Sequence, residues 1–284
     1  MTDLPWTLPN PSLVMKSIEK WRNLDLRKMT DSELDSELSE FLDSLVTYPV
    51  SILQKSFFKL WRVRKFNYLF KDISECWEPP PDKTPMGRCN AEGNPVLYIS
   101  EELNTPLEEL NVSFGEQFYA IKYKCLDHLN LKNIVPEDLL STDKEGQPIY
   151  DHESMLSYQI LREFVRSEFL KPVGKGTEYL HRISASICRV WFNNNDFNGW
   201  LYPSVQSPLE KNMAIKPTSA KRKIKIIDLR IARLVPKNEV KQHKEKFKKH
   251  PFYPWTRIAI ETDFRGEITG DIINWVPSSD LGWI

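Results

Sequence analysis

The sequence predicts an α+β protein, on three observations. Apolar residues recur at helical spacing in residues 11–45, 155–165 and 179–190. Short runs around 60–64, 96–100, 223–226 and 257–260 instead alternate or are continuously apolar, as strands are. These strand candidates are separated along the chain by helical segments and by Pro-, Gly- and Asn-rich turns. With 284 residues, 40% of them hydrophobic, the chain can bury a substantial core.

In order, Thr30 and Glu33 form a capping box before Leu34, Leu38, Phe41, Leu42 and Leu45, which marks Pro11 to Leu45 as a helical cover. The acidic residues between these apolar positions are expected to form its solvated face. The stretch Leu60-Trp61-Arg62-Val63-Arg64 alternates like a strand. Glu78-Pro79-Pro80-Pro81-Asp82 must then turn or extend, because consecutive prolines exclude the helical basin for the preceding residue. A glycine-bounded loop from Gly87 to Pro95 feeds Val96-Leu97-Tyr98-Ile99-Ser100, a buried strand candidate. Thr105-Pro106-Leu107-Glu108-Glu109 reads as a helix start, with Thr105 as N-cap, Pro106 at the first position and Glu108 completing a capping box. Met155, Leu156, Ile160, Leu161, Phe164 and Val165 mark one core helix, and Tyr179, Ile183 and Ile187 another. The turn Asn193 to Gly199 precedes Trp200-Leu201-Tyr202-Pro203-Ser204, and strand-like runs follow at Lys223 to Ile226 and Arg257 to Ile260.

Composition excludes several classes. No run approaches the roughly 18 apolar residues of a membrane span, and the first residues lack a signal peptide's basic-then-apolar order, so a cytoplasmic protein with no membrane partner is expected. Cys76, Cys89, Cys125 and Cys188 have neither C-x-x-C pairing nor a His at ligand spacing, so no metal site is expected. Formal charge balances at +0; the basic run Lys241 to Lys249 reads as a solvated helix face, and nucleic acid is not an expected partner.

Arg62 and Arg64, two apart on a strand, share a face and suit phosphate, and Arg88 between glycines could add a second fork; on spacing alone, surface salt bridging is the better reading of all three. The capping box accounts for Glu108 and leaves Glu109 without a structural duty. Beside a helix N-terminus, Glu109 would be held ionised, as a charge stabiliser rather than a proton donor. Tyr98 is either core or a ring that stacks on a ligand. Ser204 lies outside a G-x-S-x-G elbow, no histidine has a nucleophile-pairing signature, and neither G-x-x-x-x-G-K-[ST] nor G-x-G-x-x-G occurs.

In this order the segments resemble the RES domain family. Leu60-Trp61-Arg62 resembles its aromatic-arginine opening, and Gly87-Arg88-Cys89-Asn90 with Pro95-Val96-Leu97-Tyr98 resembles its G-R-x-N and P-x-L-Y stretch. Glu109 follows eleven residues after Tyr98, Tyr202-Pro203-Ser204 supplies the serine, and Asn212 to Pro217 resembles the segment beyond it. The likeness runs from about Ser56 to Val235; Cys89 and Pro106 depart from the usual residues.

The resemblance implies a fold of mixed sheets with surrounding helices, similar to ADP-ribosyltransferase toxins. The expected organisation is a helical extension over residues 1–50 and, over 51–284, a RES domain with a C-terminal extension. It also implies an enzyme that consumes NAD as glycohydrolase or phosphorylase, in some members the toxin of a toxin–antitoxin pair. NAD would be substrate, with no permanently bound cofactor; inorganic phosphate and a cognate antitoxin are the further expected partners. Arg62, Glu109 and Ser204 would be catalytic, and Arg62, Arg88, Asn90, Tyr98 and Ser204 would contact NAD. ADP-ribosyl transfer to a macromolecule, or a noncatalytic binding module, are the alternatives.

Overall fold

A computed structural model of the chain describes residues 10–39, 50–53, 59–135, 151–191, 196–207, 210–236 and 259–283. The expectations for Phe41, Leu42, Leu45, Asn193 to Asn195 of the 193–199 turn, the basic run 241–249, and Arg257 and Ile258 fall outside these residues. In chain order the elements are α1 (Pro11–Arg22), α2 (Asp31–Leu38), β1 (Val50–Leu53), β2 (Lys59–Lys65), β3 (Leu97–Ser100), α3 (Asn104–Glu109), β4 (Gln117–Cys125) and β5 (Leu129–Asn133). Then come α4 (His152–Leu170), α5 (Arg182–Val190), β6 (Gly199–Pro203), β7 (Lys211–Ile215), α6 (Pro217–Lys223), β8 (Ile224–Val235), β9 (Ala259–Thr269) and β10 (Ile272–Trp283). The α+β class is as the sequence predicts. Two compact units divide the chain, one of residues 1–52, 80–96 and 130–209, the other of 53–79, 97–129 and 210–284.

The first unit is built on helices. Asn10 caps α1, whose first residue is Pro11, and Thr30 caps α2 in the capping box the sequence predicts, with Glu33 returning to the Thr30 N–H at 2.7 Å. The described part of the helical cover is thus two helices separated by residues 23–30. Trp21 is fully buried, its ring 5.3 Å from Phe164 of α4 and 5.7 Å from Trp191, with the indole N–H donated to the Glu37 carbonyl. Leu34 and Leu38 of α2 are likewise buried. The acidic face of α2 departs from expectation. Asp31 accepts from Arg182 at 2.6 Å, and Asp35 accepts from Arg189 at 3.0 and 2.7 Å and from the Ser186 hydroxyl, so these partly exposed carboxylates also bind α5. Arg182 and Arg189 sit two turns apart on α5 and Asp31 and Asp35 one turn apart on α2, and Arg189 also comes within 3.9 Å of Asp31. In the same unit β5 and β6 pair in parallel, and the connection between them contains α4 and α5, the long crossover a parallel pair requires.

The second unit is a sheet in the order β7-β3-β2-β4-β8-β9-β10, with antiparallel pairing throughout. Residues 60–64 lie in β2, as read from the sequence, but the buried Leu60 and Val63 are three apart and point to opposite faces, so both faces of the strand are covered. Helix α3 lays Leu103, Leu107 and Val112 on Val63, Phe118, Ala120, Ala232, Leu234 and Ile260 of the sheet. A second apolar cluster centres on Tyr119, whose ring stacks on Phe70 at 3.7 Å and whose hydroxyl donates to the Tyr68 carbonyl at 2.6 Å.

Candidate active site

The second unit carries Arg62, Tyr98 and Glu109. Arg62 and Arg64 do share one face of β2, as a two-residue spacing requires. Neither engages a carboxylate in the way a surface salt bridge would. The Arg62 Nη1 donates to the carbonyls of Cys76 and Trp77, and Arg64 Nη1 donates to the Glu75 carbonyl at 2.7 Å. The pair thus gathers three successive carbonyls at the end of the 3₁₀ turn Ile73–Cys76, where backbone acceptors lack intrahelical partners. Tyr123 donates its hydroxyl to the Cys76 carbonyl at 2.5 Å, and burial pushes its pKa up. Burial likewise lifts the Cys76 thiol to about 12, which keeps it protonated beside Arg62. The contacts to Cys76 and Trp77 use Arg62 Nη1; its Nε and Nη2 carry three further N–H groups.

Tyr98 is half-buried on β3, opposite Ala214 of β7. Glu109 lies elsewhere than the sequence suggests. Helix α3 begins at Asn104 with Leu103 at its N-cap and no side-chain cap, so Thr105 is not the cap and Glu108 closes no capping box. Thr105 is instead 1% exposed, with its hydroxyl hydrogen-bonded to the Glu210 carboxylate. Glu109 is the last residue of the helix, so the expected stabilisation by a helix N-terminus is absent there. The helix ends in a Schellman turn: Asn111 N–H donates to the Glu108 carbonyl at 3.0 Å and Val112 N–H to the Leu107 carbonyl at 3.2 Å, with Asn111 at φ 48°. Leu107 and Val112 supply the apolar contact that accompanies this turn.

What holds the Glu109 carboxylate is a side chain from β7. Asn212 Nδ2 donates to Glu109 Oε1 at 2.6 Å, and Asn212 Oδ1 accepts from the Ser100 hydroxyl at 2.5 Å. Ser100 and Asn212 are cross-strand partners in the β3/β7 ladder, 2% and 3% exposed. Sequence reasoning missed this role of Ser100 and Asn212. Asn212 was legible only as the first residue of the segment beyond Ser204, and Ser100 only as the end of a strand.

The first unit carries Arg88, Asn90 and Ser204. Asn90 ties its own loop, donating to the Pro85 and Ala91 carbonyls at 2.9 Å each, while Gly93 at φ 76° makes a turn few other residues could. Arg88 on that loop donates from Nε to the Phe169 carbonyl at 2.9 Å and from Nη2 to the Lys171 carbonyl at 3.1 Å, so its cation caps the C-terminal end of α4. Its Nη1 lies 3.3 Å from His181 Nε2. Arginine only donates, so His181 accepts through Nε2 and carries its proton on Nδ1. Burial, then the Arg88 and Lys171 charges, lower the His181 pKa to about 4. No sequence signal pointed to His181. Ser204, directly after β6, is fully buried.

Among the described residues no cluster of His, Cys, Asp or Glu could hold a metal, and no helix is long and apolar enough to cross a membrane. Comparison with curated proteins gives no match. Among solved structures the chain is similar to one described as the M. tuberculosis MbcT-MbcA toxin-antitoxin complex, at 10% identity and TM-score 0.37, over 70% of this chain and 93% of that one. The model of the RES domain matches residues 59–234 of the 284. That span takes in Arg62, the Gly87 to Tyr98 stretch, Glu109 and Ser204, more than half of the chain, and the protein belongs to the RES domain family.

Proposed function

We propose that this RES protein consumes NAD by cleaving the bond between nicotinamide and ribose, as a glycohydrolase or a phosphorylase, and that it acts as a toxin held in check by a protein antitoxin. The observation that carries the reading is the Glu109 carboxylate, fixed by Asn212 of β7 within the RES domain, with Tyr98 two residues from Ser100 on the same face of β3. As the C1′–N1 bond breaks, its electron pair leaves with nicotinamide, which becomes neutral, and positive charge develops on the ribose. A carboxylate held in place before the reaction lowers that barrier electrostatically, as in other glycosidic cleavages. Water or phosphate then adds to C1′, giving ADP-ribose and a released proton, or ADP-ribose 1″-phosphate.

NAD contact by Arg62, whose side chain lies on the face of β2 opposite Val63 and is buried against the Cys76 and Trp77 carbonyls, is a proposal carried by the family motif, and the half-buried Tyr98 ring suits a planar group. For Arg88, Asn90 and Ser204 of the first unit, NAD contact is a proposal carried by the family motif. The test is incubation of purified protein with NAD, with and without inorganic phosphate, followed by mass analysis of the products. Nicotinamide with ADP-ribose identifies hydrolysis, and the sugar phosphate identifies phosphorolysis. ADP-ribose on a co-incubated macromolecule would move the assignment to a transferase; no nicotinamide under any condition would leave the binding-module reading.

A further inference from the structure

Helix α3 is pinned at two points, to Asn212 of β7 and to Glu210 just before that strand. Thr105 and Glu109 are one turn apart on the helix and so share a face, and Glu210 and Asn212 are two apart along the strand segment and share a side. The contacts are Thr105 with Glu210 and Glu109 with Asn212. Both strand-side links sit where α3 has a weak hold of its own: it is six residues long, has no side-chain N-cap, and is anchored on its apolar face by Leu103 and Leu107.

The second contact has a direction. An asparagine amide can be turned over, presenting either its N–H₂ or its oxygen to Glu109; the second arrangement would set an oxygen dipole against a carboxylate. The Glu109 carboxylate, which when ionised can only accept, takes the Asn212 N–H₂, and the Ser100 hydroxyl, directly across the β3/β7 ladder at a site where neither side chain is more than 3% exposed, then holds Asn212 Oδ1. Hydrogen bonds in such a chain polarise one another, and the last link is to a charge, the stronger kind.

We infer that Ser100 and Asn212 form a positioning relay that sets the orientation of the Glu109 carboxylate, with Ser100 acting only through Asn212. The inference rests on the proposed role of Glu109 in NAD cleavage, yet one of its readouts does not depend on that reaction.

In the NAD assay, Ser100→Ala and Asn212→Ala should each lower kcat by about 10- to 100-fold, the scale of one hydrogen bond to a charged group, with KM changed less than about twofold. The double variant should be no slower than Asn212→Ala alone, because both residues act through one link. Ser100→Thr, which keeps the hydroxyl, should recover most of the lost kcat. Independently, the Asn212 side-chain amide resonances of the uninhibited full chain should shift on Glu109→Gln and on Ser100→Ala, whether or not NAD is consumed. A parent protein that leaves NAD intact while showing these shifts would sink the enzymatic reading and keep the relay. Wild-type kcat in Ser100→Ala, additive losses in the double variant, or amide resonances indifferent to both substitutions would overturn the relay.

Discussion

Replacing Trp21 by Ala should remove one of the largest stabilising side chains of the first unit. The indole is 0% exposed, lies between Phe164 and Trp191, and donates its N–H to Glu37 at 3.2 Å. An aromatic residue of this size buries roughly 150–250 Å². At about 25 cal/mol per Å² that corresponds to about 4–6 kcal/mol of transfer free energy, and the measured range for Trp→Ala in cores is about 3–5 kcal/mol once partial collapse of the cavity is included. Loss of the indole hydrogen bond leaves the Glu37 carbonyl to find water, which adds about 1 kcal/mol at most. The expected cost is therefore about 4 kcal/mol, whereas Trp21→Phe, which keeps the ring contacts and loses only the N–H and some area, should cost about 1–2 kcal/mol. Urea unfolding followed by circular dichroism measures both. A Trp21→Ala cost below about 1 kcal/mol would show that α1 is not part of the core of this unit. The same reasoning bears on removing the N-terminal segment: deleting residues before Thr47 takes away Trp21, Leu34 and Leu38 together and should unfold the first unit.

Other expectations follow from single features. At Asn111, φ 48° favours residues tolerant of the left-handed region, so Asn111→Gly should hold stability within about 1 kcal/mol while Asn111→Val costs about 1–2 kcal/mol, read by thermal unfolding; equal stability of the two would contradict the turn. His181 is held near a pKa of about 4, below its unfolded value, so the unfolded chain binds more protons between pH 6.5 and 4 and stability falls as pH drops through that window. Stability at pH 7 and pH 5, read from urea unfolding, should differ by up to about 2 kcal/mol, and His181→Asn should flatten the dependence. Cys76, buried and raised to about 12, should resist thiol reagents at pH 8 until the protein is denatured; rapid native labelling of Cys76 would contradict its place beneath Arg62.

The parts legible in the sequence were those fixed by neighbours along the chain. The Thr30 and Glu33 capping box, the strand at 60–64 and the apolar spacing of α4 each depend on residues a turn or a pleat apart, and each stands in the structure. Thr105-Pro106 misled because Thr-Pro before an acidic pair is the composition of a helix start, whereas a contact to Glu210, more than one hundred residues on, decides what Thr105 does. The same distance hid the duties of Asp31 and Asp35, whose partners Arg182, Ser186 and Arg189 lie on α5. At the candidate site, family spacing picked out Arg62, Tyr98 and Glu109, but not what holds them. Arg62 rests on backbone carbonyls, which have no sequence signature, and Glu109 is oriented by a cross-strand pair whose register only the sheet reveals.

The central claim is that a carboxylate at residue 109 does the work of breaking the glycosidic bond. The decisive measurement is the rate of nicotinamide release from NAD by the full-length protein and by Glu109→Gln, a substitution that keeps shape and removes charge. The parent should turn NAD over, and the folded variant should lose at least about 100-fold in kcat. Equal turnover by the two folded proteins would contradict it.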